Sequence, residues 1–390
     1  MAYGMSEAGE LILRACRELK DEKLIIRTWG NVSARLSRDL ILITPSGRDY
    51  DTMTASDLVV VNMDGRHEGD VPPSSETGVH LAAYAARPEV NFVIHTHQPY
   101  ASALSVLGLD VKLGERVAES ARALVGQGIV CADYGPNGSK KINKAVAECL
   151  EEHPGTGHVL MRNHGVLCMG TGYEHAFKVT HVLEALSHKI FDYYCNDVIP
   201  LTEQIRRFKD EHAEGDAADR APADESARIR VVQSVPDDVE GSAEHVGQWM
   251  LHVRTPYVHE MSRRDATVRA YLDDFAQIAG PAIKCVSAGA DRRTLMKAMG
   301  SASAVMSENN GAYVTGTTYD EALCVAEVLE KGCMAAYLGT IRGVKPLGTL
   351  DAQMNRYKYV RKYSKLKDAG TGQEEDNGNG RNNEGSGEGA

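Results

Sequence analysis

The sequence predicts an α/β layered fold for about its first 200 residues, followed by a second, related unit. Two observations lead to this prediction. Short apolar strands alternate with helices across short links, which is the pattern of a sheet covered by helices. In addition, a segment that starts at residue 162 recurs at residue 308, which indicates an internal duplication.

The individual elements follow from the spacing of apolar side chains. Residues 7–20 carry them every three or four positions, which predicts an amphipathic helix. Pro99 is expected to open another helix, because the first turn does not need its missing N–H group. Further helices are predicted at 75–86 and 173–194, and strands at 31–36, 40–44, 58–62, 91–97, 159–161 and 166–169.

The composition restricts the function. Lys and Arg number 43 against 54 Asp and Glu, a net charge of −11, which argues against general binding to nucleic acid or anionic membranes. A local basic pocket could still bind an anionic substrate. The 8 cysteines form no CxxC pair, and the sequence shows no signal peptide and no apolar stretch of the roughly 20 residues that a membrane span needs. We therefore expect a cytoplasmic protein.

Changes in composition suggest domain boundaries. The segment 209–228 is acidic and rich in small residues, as expected of a linker. It separates a first domain, 1–208, which is the candidate for any chemistry argued below, from a second globular domain, 229–367. Residues 368–390 are dominated by Gly, Asn and Glu and are predicted to be a disordered tail.

The duplication is visible as 10 identities in one register between residues 162–184 and 308–330. The alternative is that two unrelated helices follow similar glycine turns. His252 aligns with His95, but Arg254 replaces His97 and Asn310 replaces His164. The three histidines of the first domain are candidate metal ligands, as argued in the next paragraph. The second domain keeps only His252 of these, and one ligand cannot hold a catalytic metal, so we expect this domain to be a catalytically silent partner. Within it, Asp273 and Asp274 are expected to be solvated helix charges.

Three histidines form the candidate metal site. His95 and His97 lie at positions i and i+2 of a predicted strand, so that both side chains point to one face. His164, in a strand-to-strand turn, is the natural third ligand. Three histidines with an open position are typical of catalytic zinc, whereas the pair alone could be structural or lie on the surface.

Small and polar residues near predicted turns are candidates for binding an anion. Ser74, Ser75 and Glu76 precede or begin a helix, where free N–H groups and hydroxyls can bind phosphate or simply cap the helix. Glu76 could act as a base or as a displaceable metal ligand. The segments 30–33 and 44–47 could likewise offer donors to an anion, or be ordinary turns.

The segments WGNVSARL, LITPSGRDY, PPSSETGVHLAAYAARPEVNFVIHTHQPYASALS and MRNHGVLCMG resemble, in order and spacing, the class II aldolase/adducin family. The resemblance implies a three-layer α/β/α sandwich, usually tetrameric. It implies that His95, His97 and His164 bind Zn²⁺ or another divalent cation such as Mn²⁺, with Glu76 as the acid/base. It also implies a substrate phosphate site, made of Asn31, Ser46, Gly47, Ser74 and Ser75.

The implied activity is cleavage or formation of a carbon–carbon bond in a small phosphorylated sugar, giving dihydroxyacetone phosphate and an aldehyde. The alternatives are a phospho-keto-acid decarboxylase, a thio-sugar-phosphate dehydratase, or a non-catalytic adducin-like binding protein. Aldolases of the family use a Tyr near a subunit contact, and the equivalent stretch GERVAESARALVGQG has none. Tyr134 or a residue of the second domain could replace it. We expect a homo-oligomer in which two chains form a pseudo-tetramer.

Overall fold

The computed structural model describes residues 2–196, 229–234, 249–264 and 266–363. The predicted linker (209–228) and tail (368–390) lie outside these residues. So do the C-terminal ends of the two predicted domains, 197–208 and 364–367. Among the described helices, none is both long enough and apolar enough to cross a membrane.

Within the residues that the structure describes, the first unit consists of nine strands and six helices. The strands are β1 (Asn31–Arg35), β2 (Leu40–Ile43), β3 (Val59–Asn62), β4 (Phe92–Thr96), β5 (Val111–Lys112), β6 (Gly128–Ile129), β7 (Cys131–Ala132), β8 (His158–Met161) and β9 (Gly165–Gly170). The helices are α1 (Met5–Asp21), α2 (Thr77–Ala86), α3 (Pro99–Ser105), α4 (Glu119–Val125), α5 (Lys140–Glu152) and α6 (Tyr173–Asn196), with a 3-10 turn at Ala55–Asp57.

These elements form a three-layer α/β/α sandwich. Seven strands make one sheet in the order β3-β2-β1-β4-β9-β8-β7. Side chains alternate across it, so Phe92 and Ile94 join the core under α1, α3 and α6, whereas Val93 joins the core under α2 and α5. The apolar strands are buried because helices cover both faces of the sheet.

Every predicted helix and strand of the first unit is present, with ends that coincide or differ by at most two residues. The helix predicted at 75–86 begins later, at Thr77. Its start is delayed by a turn in which the Thr77 backbone N–H and hydroxyl both donate to the Ser74 carbonyl. This turn leaves Glu76 at the helix N-cap, with its side chain available for the site.

The second unit consists of seven strands and five helices among the described residues. The strands are β10 (Ile229–Ser234), β11 (Trp249–Val253), β12 (Val268–Arg269), β13 (Ala282–Ile283), β14 (Cys285–Val286), β15 (Ala304–Ser307) and β16 (Gly311–Gly316). The helices are α7 (Pro256–Ser262), α8 (Asp273–Ile278), α9 (Arg292–Met299), α10 (Tyr319–Ile341) and α11 (Thr349–Lys358), followed by a π turn at Tyr359–Tyr363.

The second unit is a shortened copy of the first. Its sheet has the order β10-β11-β16-β15-β14, which repeats β1-β4-β9-β8-β7 with the same parallel and antiparallel pairings. The register is also the same, because His252 pairs with Tyr313 as His95 pairs with Leu167. The counterparts of β2, β3 and α2 are absent from the described part of this copy. The duplication predicted from the sequence is therefore also present in the structure.

Both copies use the same strained turn between their last two strands. Asn163 and Asn309, which are equivalent, adopt the left-handed conformation with φ of 61° and 55°. The glycine two residues later is also equivalent: a Cβ on Gly165 would lie 2.5 Å from the Thr96 carbonyl, and one on Gly311 would lie 2.2 Å from the Val253 carbonyl. Neither glycine can carry a side chain, since a neighbouring strand lies against it.

The two copies share one hydrophobic core. The core under α1, α3 and α6 continues without a break into the apolar side chains of α7, α8 and α10. Phe191 of α6 packs edge-on against Tyr257 of α7, with ring centroids 5.7 Å apart. This continuity brings the second copy against the side of the first sheet where the histidines lie.

Candidate metal centre

His95 and His97 are delivered by β4 and the residue just beyond its end. Both side chains point to the same side of the sheet, as the i and i+2 spacing predicted, and both are buried. Their Nε2 atoms lie 3.1 Å apart. Gly165 leaves room for the two rings, because a Cβ there would lie 3.1 Å from His95 Cε1 and 3.3 Å from His97 Cδ2.

His164 comes from the turn between β8 and β9. The left-handed Asn163 directs the following side chain back toward the sheet edge, where the His164 ring stacks on that of His95 at an interplanar angle of 9°. Ring centroids of His97 and His164 are 4.8 Å apart. The three histidines predicted from separate motifs therefore meet in one place.

Glu76 completes the cluster from the opposite side. Its Oε1 lies 2.6 Å from His164 Nε2, and its Oε2 lies 3.2 Å from His95 Nε2. Asn31 donates from Nδ2 to Glu76 Oε2 at 2.9 Å, while its own Oδ1 is 2.5 Å from His80 Nε2. This hydrogen bond from Asn31 orients the Glu76 carboxylate. Asn31 was predicted to bind phosphate, so orienting Glu76 is a second role for it.

The other ring nitrogen of each histidine has an oxygen partner. His95 Nδ1 donates to the Val166 carbonyl at 2.8 Å. His97 Nδ1 lies 3.1 Å from Asp274 Oδ2, and His164 Nδ1 lies 3.3 Å from Asp273 Oδ2. Carbonyl and carboxylate oxygens only accept hydrogen bonds, so the Nδ1 atoms carry the protons. The three Nε2 atoms are then the ones available to bind a metal.

This donor set fits a divalent cation. One ligand atom from each of His95, His97, His164 and Glu76 lies within 4.8 Å of all the others, and all four residues are buried. Nitrogen lone pairs and carboxylate oxygens that face one another away from water repel unless positive charge lies between them. Three imidazoles and a carboxylate are ligands that zinc and related ions accept.

In the metal-free cluster, burial alone would lower the pKa of His164, but the carboxylates of Glu76 and Asp273 outweigh it and raise that pKa to about 10. A proton on His164 thus supplies the positive charge that a bound cation would replace. Burial alone would raise the pKa of Glu76, but the imidazoles of His95 and His164 outweigh it and hold that pKa well below its usual range. Burial lowers the pKa of His97 to about 3, against the opposing influence of Asp274. Glu76 is thus kept ionised and His97 neutral, as metal ligation and proton acceptance both require.

A cleft opens beside the cluster. Its walls combine the anion-binding candidates with residues of both copies, namely Thr28, Trp29, Gly30, Asn31, Pro45, Ser46, Gly47, Ser74, Ser75, Glu76, His97, Asn137, Asp274 and Gln277. All five predicted phosphate-binding residues therefore lie along one cleft next to the histidines. Tyr134, considered as a substitute acid, directs its hydroxyl to Asp273 Oδ1 at 3.1 Å.

The expectation that Asp273 and Asp274 are solvated is wrong. They are 0% and 2% exposed, and each contacts one of the candidate metal ligands. On the isolated helix their face is polar and would meet water, but here it packs on the histidine cluster of the first copy. No sequence motif indicated that His80, which contacts Asn31, and Lys331, which contacts the His97 carbonyl, also lie next to the site. A local apolar pattern cannot reveal contacts that another part of the chain creates.

The comparison with known families agrees with the fold. The sequence model of the family described as "Class II Aldolase and Adducin N-terminal domain" matches residues 10–190 and 247–337. The match includes both copies and more than half of the chain, so the chain belongs to this family. The resemblance seen in the sequence motifs is thereby confirmed, and the second matched segment agrees with the duplication.

Among individual proteins, the chain is similar to L-fuculose phosphate aldolases. It is 34% identical over 176 residues to the one from Methanococcus maripaludis, a stretch of 45% of this chain and 91% of that protein. It is equally similar to the Escherichia coli K12 protein, of which the match covers 79%. A solved structure of L-fuculose 1-phosphate aldolase is 29% identical, with a TM-score of 0.45, over 50% of this chain and 89% of that one.

Proposed function

We propose that the chain is a divalent-metal-dependent lyase that cleaves or forms a carbon–carbon bond in a small phosphorylated sugar, with dihydroxyacetone phosphate and an aldehyde as the cleavage products. The main support is the convergence of three imidazoles and one ionised carboxylate, with ligand atoms within 4.8 Å of one another, beside a cleft lined by Ser46, Ser74 and Ser75. The family and the named relatives agree with this choice.

The metal would be held by His95, His97 and His164. When bound there, a cation such as Zn²⁺ or Mn²⁺ supplies Lewis acidity for negative charge that develops on adjacent substrate oxygens. The protein keeps the three Nε2 atoms available by holding each Nδ1–H on an oxygen acceptor. Ligation by neutral imidazoles would leave the ion its full positive charge.

Glu76 would move the proton at carbon. In the direction of bond formation, its carboxylate accepts a proton from the carbon next to the carbonyl of dihydroxyacetone phosphate. In the direction of cleavage, it returns that proton to the same carbon. Asn31 holds Glu76 Oε2 at 2.9 Å, and the low pKa of the carboxylate keeps it ready to accept the proton. Burial of the group excludes water that would compete for the proton.

The phosphate would lie along the cleft formed by Ser46, Gly47, Ser74 and Ser75, with Asn31 at its inner end. The three serines offer hydroxyls, and Gly47, whose φ of 74° favours glycine, offers its backbone N–H. The N–H groups of Ser46 and Ser74 already donate to the carbonyls of Pro72 and Thr44. Binding the phosphate here would orient the reacting carbons toward Glu76 without any chemistry at the phosphate itself.

We propose that chemistry is confined to the first domain, 1–208, and that 229–367 is a silent copy joined by the linker. In that copy the position of His164 is taken by Asn310. The backbone carbonyl oxygen of Asn310 lies 2.7 Å from His252 Nε2. The 8 cysteines, all within the described residues, form no disulfides, which supports the proposal of a cytoplasmic location.

The test is a product assay on purified protein with added Zn²⁺ or Mn²⁺. Phosphorylated ketoses, phosphorylated keto acids and thio-sugar phosphates are offered in turn, and dihydroxyacetone phosphate, carbon dioxide and dehydrated product are measured. Release of dihydroxyacetone phosphate from a ketose phosphate is the expected result. Carbon dioxide or a dehydrated product instead would replace the proposal by a decarboxylase or dehydratase. A protein that binds no divalent ion would favour the adducin-like alternative.

A further inference from the structure

Two adjacent carboxylates of the second copy lie against the metal cluster of the first. Asp273 and Asp274, the first residues of α8, are buried, and their Oδ2 atoms lie within 3.3 Å of the Nδ1 atoms of His164 and His97, respectively. The third histidine, His95, has its acceptor within the first copy, at the Val166 carbonyl. The second copy therefore supplies two of the three outer partners of the candidate ligands.

The second copy also holds the backbone of these ligands. The Asp273 N–H donates to the carbonyl of Asn163 at 2.8 Å, and Asn163 Nδ2 donates to the Tyr271 carbonyl at 2.7 Å. Asn163 is the left-handed residue immediately before His164. Its conformation is therefore fixed from the outside by two hydrogen bonds, which limits where the His164 ring can lie.

Lys331 of α10 plays the matching part at His97. Its Nζ atom donates to the His97 carbonyl at 3.1 Å and pairs with Asp274 Oδ2. Burial would raise the pKa of Asp274, but the charge of Lys331 outweighs it and keeps the carboxyl ionised. Asp273 is supported differently, by donors from Asn355 Nδ2 at 2.6 Å and Tyr134 at 3.1 Å to its Oδ1.

Packing between the copies does not require this arrangement. Two neighbouring buried carboxylates cost free energy relative to apolar side chains of similar volume, even when they are paired. What they provide is geometric, because each carboxylate fixes the tautomer and the ring orientation of a different histidine. Asp273 also lies in the segment between β12 and β13, the counterpart of the α4 segment between β5 and β6 in the first copy.

We infer that Asp273 and Asp274 of the second copy are positioning residues for the metal ligands His164 and His97, so that the metal centre is completed by the duplicated unit. The inference rests on the proposed metal-dependent function and assigns the silent copy a direct task in it. The carboxylates do not touch the metal; they raise its affinity by holding the imidazoles in the ligating orientation.

The test measures metal affinity in the full-length chain without substrate. Metal-free wild type, Asp273→Asn and Asp274→Asn are titrated with Co²⁺, and the dissociation constant and the visible spectrum are recorded. Glu260→Gln is the matched control, since it neutralises another buried acid of the second copy, one that pairs with Arg263 and Arg264 instead of a histidine. Asp320→Asn, at an exposed acid of the same copy, controls for charge.

Each aspartate variant is expected to bind Co²⁺ about 10- to 100-fold more weakly and to change its spectrum. Glu260→Gln should lower the thermal midpoint while its affinity and spectrum stay close to those of the wild type. If an Asn variant does not fold, the corresponding Glu variant is measured instead. It keeps the charge but displaces the carboxylate, and it should lose affinity as well.

Folded aspartate variants with wild-type affinity and spectrum would overturn the inference and leave the lyase proposal standing. Wild-type protein that binds no Co²⁺ would overturn the metal-dependent function itself. Weakened binding in the aspartate variants, together with no turnover of any sugar phosphate by the wild type, would support the positioning role and reject the proposed reaction.

Discussion

Replacing Glu184 by Gln should change how the stability of the protein depends on pH. Glu184, on α6, accepts hydrogen bonds from the backbone N–H groups of Tyr100 and Ala101, at 2.8 and 3.0 Å, and so caps α3. Glu330 does the same for α7 in the second copy. Since α3 begins two residues after His97, this carboxylate fixes the chain next to the metal centre.

The magnitude follows from the pKa of the group. Burial, only partly opposed by the two N–H donors, raises the pKa of Glu184 from 4.5 to about 7. Between these values the folded protein keeps a proton that the unfolded chain releases, so stability is highest below pH 4.5 and falls as the pH rises toward 7. The full shift corresponds to roughly 3 kcal/mol, and because the side chain is partly exposed we expect about 2 kcal/mol.

Gln has nearly the shape of protonated Glu and does not titrate, but its NH2 group cannot accept the hydrogen bond from Tyr100 or Ala101, which lowers its stability by a similar amount at every pH. The free energy of unfolding is measured by urea denaturation from pH 4.5 to 8 for Glu184→Gln and for the wild type. Relative to the difference at pH 4.5, the variant should gain about 2 kcal/mol over the wild type by pH 8. Subtracting the two curves cancels all other titrating groups.

Glu174→Gln, at an exposed position on the same helix, is the control for the loss of one carboxylate. A flat curve for Glu184→Gln would refute the reasoning. A curve that falls with pH would show that the N–H groups of Tyr100 and Ala101 stabilise the ionised carboxylate more than burial destabilises it.

Three further predictions concern the site and the assembly. His97→Ala should lose most of its bound divalent metal and its activity while it stays folded, and retention of one metal per chain, measured by elemental analysis, would contradict the ligand assignment. Glu76→Gln should lower turnover by at least about 100-fold with metal retained, because it removes the proton acceptor and leaves three imidazoles in place; wild-type turnover would show that another group moves the proton. Light scattering should give the mass of two chains, a ring of four aldolase-like units with two active sites, since fusing two units makes one of their contacts intramolecular; a monodisperse monomer would contradict that assembly.

The second copy explains why a chain of this family is so long. In sequence it has lost two of the three histidines, and in structure it keeps the sheet order, the strand register and the long helix α10. The features that it retains are those that pack on the first copy. Lys331 and the α8 carboxylates reach the metal cluster from that packed surface.

The sequence by itself determined the elements of the first unit, because helix and strand periodicities are local properties of the chain. It also determined the candidate site in outline. The i and i+2 spacing places His95 and His97 on one face of β4, and family motifs add His164, Glu76 and the phosphate residues. The duplication was readable too, since identical residues recur in one register.

The tertiary structure decided what surrounds these residues. It brought the polar face of α8 onto the histidines, so that Asp273 and Asp274 are buried rather than solvated. It also turned Asn31 toward Glu76 and placed Lys331 beside His97. No local pattern records these contacts, because a polar helix face looks the same whether it meets water or the ligands of a metal. Only the packing of one copy against the other distinguishes the two cases, and that packing depends on the shape of both surfaces.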